Sequence, residues 1–304
     1  MSNTIQRLDD ARVWMPVDLI DVVISDASDV DLFGGMWVAY KHLGNKARYI
    51  GGNSLGRMPT NMNVLVIGCI PPGRVLEALS DGGCRILVLL NGAGDFASLD
   101  DLQCLRILES EEPSASMLAW TYFKYAQDPP LLIRHIEDYI TGKMSMIDTR
   151  EIVASLQVEK RSFPAWDRAE MEGYGDLCAD GSAILRFQDS LVGRLRSNSS
   201  KITLTDSDVS YIAVNAPVHQ REVAGRLLED NPDSMMVVCY HHVMSGMVNI
   251  EIFCRSTSDL MAMADAAGGS VIGNKIVLPL RGEDWSSEIS LAVKYVRGKK
   301  RRSA

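Results

Sequence analysis

Short apolar runs alternate with helical patterns through the first half of the chain. Apolar, β-branched runs that predict buried strands lie at residues 19–24, 47–50, 64–67 and 86–90. Helical patterns lie at residues 34–43, 72–79, 117–126 and 130–139. Ser114 or Ser116 is predicted to cap the third helix, and Pro129-Pro130 to start the fourth. This rhythm predicts a parallel sheet with right-handed crossovers.

A second α/β pattern follows a polar break in the chain. Residues 141–175 are mixed in pattern, residues 176–196 predict a helix, and Asn198 to Ser200 end it. Strands are then predicted at residues 211–214, 235–240, 248–254 and 275–280, and helices at residues 220–229 and 258–267. We therefore expect a larger α/β domain over 1–175, a connecting helix and linker over 176–204, a smaller α/β domain over 205–298 and a basic tail over 299–304.

Composition agrees with two folded domains. The chain has 304 residues, of which 46% are hydrophobic, enough apolar material for two cores. Its net charge of −8 argues against a protein that binds nucleic acid over its whole surface. The dense basic cluster lies at the end of the chain and includes Lys299, Lys300, Arg301 and Arg302. It is interpreted as a solvated tail, as an arm that attracts phosphates, or as a localisation signal.

The search for targeting segments and the spacing of the cysteines predict where in the cell the protein is located. No apolar run approaches the roughly 20 residues that span a bilayer, and no signal peptide begins the chain, so no membrane partner is expected. The six cysteines form no C-x-x-C pair and lie mostly in apolar runs, which is typical of free thiols in a reducing compartment. A cytoplasmic location is expected, with a nuclear one left open by the basic tail.

Several segments together resemble the DHH phosphoesterase family. The stretch from Ser28 to Gly44 is similar to the family's opening motif, and residues 114–123 and 131–138 are similar to later ones. Residues 252–256 and 266–269 resemble the small C-terminal domain, known as DHHA1, that accompanies DHH domains. The resemblance covers residues 15–282 and implies an α/β fold, with a parallel-sheet DHH-like domain and a second, smaller α/β domain.

Family members hydrolyse phosphodiester or phosphoanhydride bonds with two divalent metals, usually manganese, held by aspartates and histidines. Here Ala27 or Ser28 stands where the first motif has its histidine, and Gly68 stands in place of the second-motif aspartate. Asn91-Gly92-Ala93 replaces the Asp-His-His triplet itself, and Val271 replaces the histidine of the C-terminal loop. Most of the family's ligands are therefore absent from this chain.

The retained positions define the candidate sites. Asp29, Asp31 and Asp138 match metal-ligand positions, and they predict either no metal or weakly bound manganese or magnesium. Asp29 and Asp31 also suit a second interpretation, because carboxylates just before a helix cap it. The resemblance further implies that four residues hold the substrate's phosphate and base, namely Arg255, Ser256, Gly268 and Gly269. His42, His135, His241 and His242 are expected to have structural or surface roles.

Two functions remain open from the sequence. The first is a catalytically inactive DHH homologue that binds a nucleotide or single-stranded nucleic acid, or acts as a structural assembly module, with a protein assembly or homo-oligomer as its partner. The alternative is an active metal-dependent phosphodiesterase on short oligonucleotides or nucleotides, with a rearranged one-metal site, since two carboxylates and a substrate phosphate can hold magnesium.

Overall fold

The structure is a computed structural model that describes residues 4–5, 7–51, 58–91, 102–110, 114–124, 127–171, 173–203, 210–243, 247–267, 270–272, 275–281 and 289. Gly92, Ala93, Gly268, Gly269 and the tail residues 299–302 lie outside the described residues. The chain divides into two compact units, Met1–Leu185 and Arg186–Ala304. The predicted domain boundaries stay predictions, since the division falls inside one long helix.

The first unit is built around a six-stranded parallel sheet. Its elements are β1 (Thr4–Ile5), α1 (Leu8–Trp14), β2 (Val22–Ser25), α2 (Val30–Leu43), β3 (Arg48–Gly51), β4 (Asn63–Ile67), α3 (Gly73–Asp81), β5 (Arg85–Asn91), β6 (Leu105–Ser110), α4 (Ala115–Lys124), α5 (Leu131–Ile140), α6 (Thr149–Val158), α7 (Phe163–Met171) and the start of α8 (Tyr174–Ser197). The strand order is β1-β6-β5-β4-β2-β3. Every neighbouring pair runs parallel, as the sequence predicted.

The central strands are apolar on both sides because both faces of the sheet are covered. Along β4, Leu65 and Ile67 belong to the core formed with α2 and α4, whereas Val64 and Val66 belong to the core formed with α3. Each of these four side chains is fully buried. Such two-sided burial produces the continuous apolar runs seen in the sequence.

The predictions for this unit hold for the strongly patterned elements and fail elsewhere. The four predicted strands and four predicted helices are confirmed with small shifts at their ends. Ser114 caps α4, because its Oγ accepts from the Met117 N–H at 3.1 Å. The sequence missed β6, and it also missed α6 and α7 within residues that it described as mixed.

The second unit contains a mixed sheet. Its elements are the rest of α8, β7 (Ser200–Thr203), β8 (Ser210–Asn215), α9 (Gln220–Asp230), β9 (Met236–Val243), β10 (Met247–Cys254), α10 (Thr257–Ala267), β11 (Ser270–Ile272) and β12 (Lys275–Arg281). The strand order is β11-β12-β10-β9-β8-β7, with β8 and β9 parallel and the other pairs antiparallel. The expected second α/β unit is present.

Two details of the second unit complete the fold. Strand β9 continues to Val243, so the sequence-based end at residue 240 is wrong, and His241 and His242 lie within the strand. All six cysteines are free thiols, as expected. Burial raises the pKa of Cys239 to about 12.

No helix among the described residues combines the length and apolar character needed to cross a lipid bilayer.

Candidate functional site

The carboxyl ends of β2 and β4 form the point at which the sheet's strand order reverses. From β2 the chain moves outward to β3, and β4 then returns to pair with the other side of β2. Ligands of open α/β sheets bind in the crevice outside such strand ends. Ser25 ends β2, Gly68 follows β4, and helix α2 begins nearby with Asp29 as its N-cap.

Asp29 acts as a helix cap. Its Oδ1 accepts hydrogen bonds from the backbone N–H groups of Asp31 at 2.8 Å and Leu32 at 3.1 Å. These are N–H groups in the first turn of α2, which have no partner within the helix. The capping interpretation of Asp29 is confirmed.

Asp31 caps a different helix from the one it belongs to. Its two carboxylate oxygens accept from the N–H groups of Ala115 at 2.8 Å and Ser116 at 2.9 Å, at the start of α4. The side chain is buried, and burial raises the pKa of this carboxyl group. Hydrogen bonds from Ser116 and Ala115 oppose that rise, and the charge of Asp29 adds to it. Asp31 therefore ties α2 to α4.

The space beside Gly68 is occupied by side chains. A Cβ atom placed on Gly68 lies 2.1 Å from Leu32 Cδ2 and 2.8 Å from Ala115 Cβ, and the residue has a φ of +74°. The buried Ser25 hydroxyl lies 3.0 Å from the carbonyl oxygens of Leu32 and Ile67, which share its one hydrogen. The position at which the resemblance calls for an aspartate therefore has no room for a side chain.

Asp138 is buried and belongs to a separate network that reaches the surface at Ser145. Its carboxylate accepts from Ser145 N–H at 2.8 Å, Ser145 Oγ–H at 2.7 Å, Met146 N–H at 3.0 Å and Thr149 Oγ–H at 2.8 Å. Burial pushes the pKa of Asp138 up, but these four hydrogen bonds outweigh it and hold the pKa well below its usual range.

The network also contains His135. Because the Thr149 hydroxyl donates to Asp138, His135 Nδ1 is the donor in its 2.9 Å contact with Thr149 Oγ. Burial lowers the pKa of His135, partly offset by the charge of Asp138. The groups that donate to the Asp138 carboxylate belong to Ser145, Met146 and Thr149. The structure thus places Asp29 and Asp31 together at the start of α2, whereas Asp138 on α5 is bonded to the segment that leads into α6.

These residues do not fit a pair of divalent metals. All three carboxylates already accept hydrogen bonds from the chain, and Leu32 and Ala115 fill the space beside Gly68, where the resemblance implies a further ligand. Within the described residues, no group of three or more histidine, cysteine or acidic side chains is arranged to hold a metal ion. A two-metal site needs a crowd of such ligands at one place.

Titration with manganese is expected to give weak binding or none. The physical reason is that a metal at Asp29 and Asp31 must displace the N–H groups that these carboxylates accept from. Isothermal calorimetry checks this, with Asp128→Asn, a change at an exposed carboxylate, as the matched control. Two sites of micromolar or tighter affinity would contradict the expectation.

Arg255 and Ser256, which the resemblance assigns to substrate binding, form hydrogen bonds within the protein. The Arg255 guanidinium donates to the carbonyl oxygens of Ser234 at 2.9 Å, Asn231 at 2.8 Å and Leu228, at the end of α9. Ser256 lies at the start of α10, where its carbonyl accepts from Leu260 N–H at 3.0 Å. The Nη1 group of Arg255 takes part in none of these three bonds, and the side chain is exposed.

Sequence reasoning missed the residues that close the strand ends. Leu32 is one apolar residue in a helix, and Ala115 is one small residue at a helix start. Nothing in either pattern marks them as neighbours of Gly68. The usable signal was Gly68 itself, because a glycine directly after a buried strand marks a close approach or an unusual backbone angle.

Comparisons with known proteins identify the fold. No protein-family profile and no curated sequence matches the chain. Among solved structures, a DHH domain from a member of a ribosomal-protein family is similar over 94% of this chain and 88% of that chain, with a TM-score of 0.59 and 10% identity. The chain has a DHH-like fold.

Other structures with the DHH-like fold agree. Exonuclease RecJ bound to manganese is similar over 98% of this chain and 96% of that chain, with 12% identity and a TM-score of 0.52. RecJ from Thermus thermophilus in complex with Mn²⁺ matches 95% of this chain, with 12% identity and a TM-score of 0.54. The present chain spans 55% of that RecJ chain. Similarity this remote shows the DHH-like fold alone.

Proposed function

We propose that this chain is a catalytically inactive DHH homologue that binds a nucleotide or single-stranded nucleic acid, or serves as a structural assembly module. The observation that carries the proposal is the filled space beside Gly68, where Leu32 and Ala115 occupy the place of a metal ligand. Two-metal hydrolysis requires ions that flank the attacking and leaving oxygens, together with the ligands that bridge those ions.

The electrostatics of Asp31 support the same proposal. Both carboxylate oxygens of Asp31 accept N–H groups at the start of α4, so they face the backbone of that helix. The side chain is buried, and burial raises its pKa. The residue has the environment of a packing and capping group.

A ligand of the nucleotide class is supported by the fold and by Arg255. A structure with the same fold is described as an exonuclease. Three carbonyl oxygens accept from Nε and Nη2 of the exposed Arg255 guanidinium, and we propose that its Nη1 group binds a phosphate oxygen. In this proposal Ser256, Gly268 and Gly269 also bind the ligand. The tail adds a salt-dependent attraction for its phosphates, through Lys299, Lys300, Arg301 and Arg302. The free thiols agree with a cytoplasmic location, and the tail leaves a nuclear one open.

Purified protein is expected not to hydrolyse a dinucleotide, a cyclic dinucleotide or pyrophosphate with manganese or magnesium. No group bridges two metals among the described residues at the strand ends, so no metal-bound hydroxide is held in line with the phosphorus. Product release is measured by chromatography, for the wild type and for Asp29→Asn. Robust turnover that Asp29→Asn abolishes, with circular dichroism unchanged, would establish the active phosphodiesterase instead.

A further inference from the structure

One face of the long helix α8 exposes two arginines and a phenylalanine. Side chains three or four residues apart on a helix lie on the same face. By that spacing, the part of α8 that belongs to the second unit has a face of six exposed residues, namely Arg186, Phe187, Ser190, Gly193, Arg194 and Ser197. We call these six residues the arginine–phenylalanine face.

The opposite side of α8 packs against α9. Val192 is buried in the core that the two helices share. Asp189 pairs with Arg226 at 3.4 Å, and Arg196 pairs with Asp230 at 3.0 Å, so both ion pairs join α8 to α9. These contacts hold α8 with the arginine–phenylalanine face turned away from α9.

The charge of this face is not balanced within the described part of the chain. None of the ion pairs there includes Arg186 or Arg194, and the face itself contains no acidic residue. The nearby Asp189 pairs with Arg226 instead. The face is therefore locally positive in a chain whose net charge is −8, and such a surface attracts polyanions.

The phenylalanine distinguishes between two kinds of polyanion. Phe187 is 63% exposed, and no other large apolar side chain of α8 is exposed. A helix that docks against a protein carries a stripe of several apolar residues. One aromatic ring beside guanidiniums is instead typical of surfaces that bind single-stranded nucleic acids, where bases stack on aromatic side chains.

Gly193 leaves open space on the same face. A Cβ atom placed on Gly193 meets nothing within 4 Å, so packing within the protein does not require a glycine there. Glycine inside a helix is less favourable than alanine, but it allows another backbone to approach closely. Gly193 and Ser190 lie between Phe187 and Arg194 along the helix, where they leave room for a strand.

We propose that the arginine–phenylalanine face binds a single-stranded nucleic acid, with Arg186 and Arg194 on its phosphates and the Phe187 ring stacked on a base. The two arginines are eight residues apart, which is about 12 Å along the helix axis. They therefore suit separate phosphates of one strand. Every base has a π face, so stacking on Phe187 is largely independent of base sequence.

This face is separate from the residues of the proposed function. It lies on α8, whereas Arg255 directly follows β10. Binding of a strand to α8 does not require that the chain be inactive. Turnover of a dinucleotide would therefore contradict the proposed function and leave binding at this face unaffected.

Anisotropy of a fluorescently labelled oligothymidylate, measured with the full chain at several salt concentrations, tests the charges. Arg186→Gln and Arg194→Gln are each expected to weaken binding at low salt. Each is also expected to lower the slope of log affinity against log salt by about 0.7, the value for one phosphate contact on a single strand. Arg74→Gln removes the same charge from an exposed arginine on α3 and is the matched control, with affinity and slope close to those of the wild type.

An abasic strand of the same length separates stacking from charge. Phe187→Ala is expected to weaken binding of the oligothymidylate about tenfold and to leave binding of the abasic strand unchanged. Gly193→Gln adds bulk to the open space without adding charge, so we expect it to weaken binding of both strands. Glutamine is a better helix former than glycine, so this variant is expected to keep or raise the melting temperature.

Thermal unfolding of each variant checks that the fold is kept, as expected for changes at exposed positions. Absence of binding by the wild type at low salt overturns the proposal, as do equal losses in Arg186→Gln and Arg74→Gln. An equal effect of Phe187→Ala on both strands overturns the assigned stacking. Binding of polyglutamate that depends on Arg186 as strongly as binding of the oligothymidylate overturns the proposal in favour of an acidic protein segment.

Discussion

Replacing Gly68 by alanine is expected to lower the free energy of unfolding by about 3 kcal/mol, and replacing it by aspartate is expected to lower it further. The φ of +74° alone costs a residue with a side chain about 1–2 kcal/mol. The new Cβ also meets Leu32 and Ala115 at distances that force packing to shift, and such overpacking costs about 1–3 kcal/mol. The aspartate adds a charge to a crowded space.

Urea unfolding at neutral pH measures this loss. Gly73→Ala is the matched control, because a Cβ on Gly73 meets nothing within 4 Å, and we expect that change to be nearly neutral. Combining Gly68→Ala with Leu32→Ala tests the cause directly. If Leu32 fills the space, the double variant loses less stability than the sum of the single variants. An aspartate at position 68 that leaves stability unchanged would show that the space is open.

Asp138→Asn is expected to lower the free energy of unfolding by about 3 kcal/mol at neutral pH. The carboxylate accepts four hydrogen bonds, and bonds to a charged group contribute about 1.5–3 kcal/mol each, so the loss of charge weakens the whole set. The amide also presents an N–H group to a site made entirely of donors. That leaves the backbone N–H of Ser145 or Met146 facing another donor in a partly buried site.

The loss is expected to shrink in acid. The folded-state pKa of Asp138 lies below its unfolded value of about 3.9, so its contribution is complete above that pH. As pH falls through this region towards the folded-state pKa, the unfolded chain binds the proton more readily, and the contribution is lost. The stability difference between the wild type and Asp138→Asn should therefore narrow below about pH 4.

Urea unfolding of both proteins between pH 3 and pH 7 gives the difference curve. Asp138→Asn also removes the charge that partly offsets the lowered pKa of His135, so the loss of stability that His135 causes in acid is larger in the variant. That contribution begins near the unfolded histidine pKa of about 6.5 and widens the difference, whereas the Asp138 contribution narrows it below about pH 4. Asp128→Asn changes an exposed carboxylate between α4 and α5 and is expected to have little effect at any pH. A constant difference between the wild type and Asp138→Asn across this range would contradict the assigned role of the hydrogen bonds.

The sequence predicted the elements whose pattern is local. The central strands β2, β4 and β5 are unbroken apolar runs because both faces are buried, and such runs are visible without any knowledge of neighbours. Strand β6 was missed because Arg106, Glu109 and Ser110 interrupt its apolar residues. Helix α6 buries Ile152, Val153 and Leu156, but the exposed Val158 and Ile147 beside it blur the period.

The sequence predicted which metal ligands the site lacks, but it did not predict which side chains fill their place. The resemblance showed that the position of Gly68 lacks its aspartate, but residue order gives no sign that Leu32 and Ala115 fill the space. Asp31 and the Ala115 N–H that it accepts are 84 residues apart, so this cap depends on how α2 packs against α4. Tertiary contacts of this kind leave no periodic mark in a single sequence.

The filled space beside Gly68 also limits which substitutions such a chain can accumulate during evolution. An aspartate introduced at position 68 enters a left-handed backbone conformation against Leu32, and it coordinates nothing until several other ligands are present. This substitution towards a two-metal centre therefore lowers stability before it confers any activity. Because natural proteins tolerate only a few kcal/mol of such loss, selection acting one step at a time holds the chain in its present form.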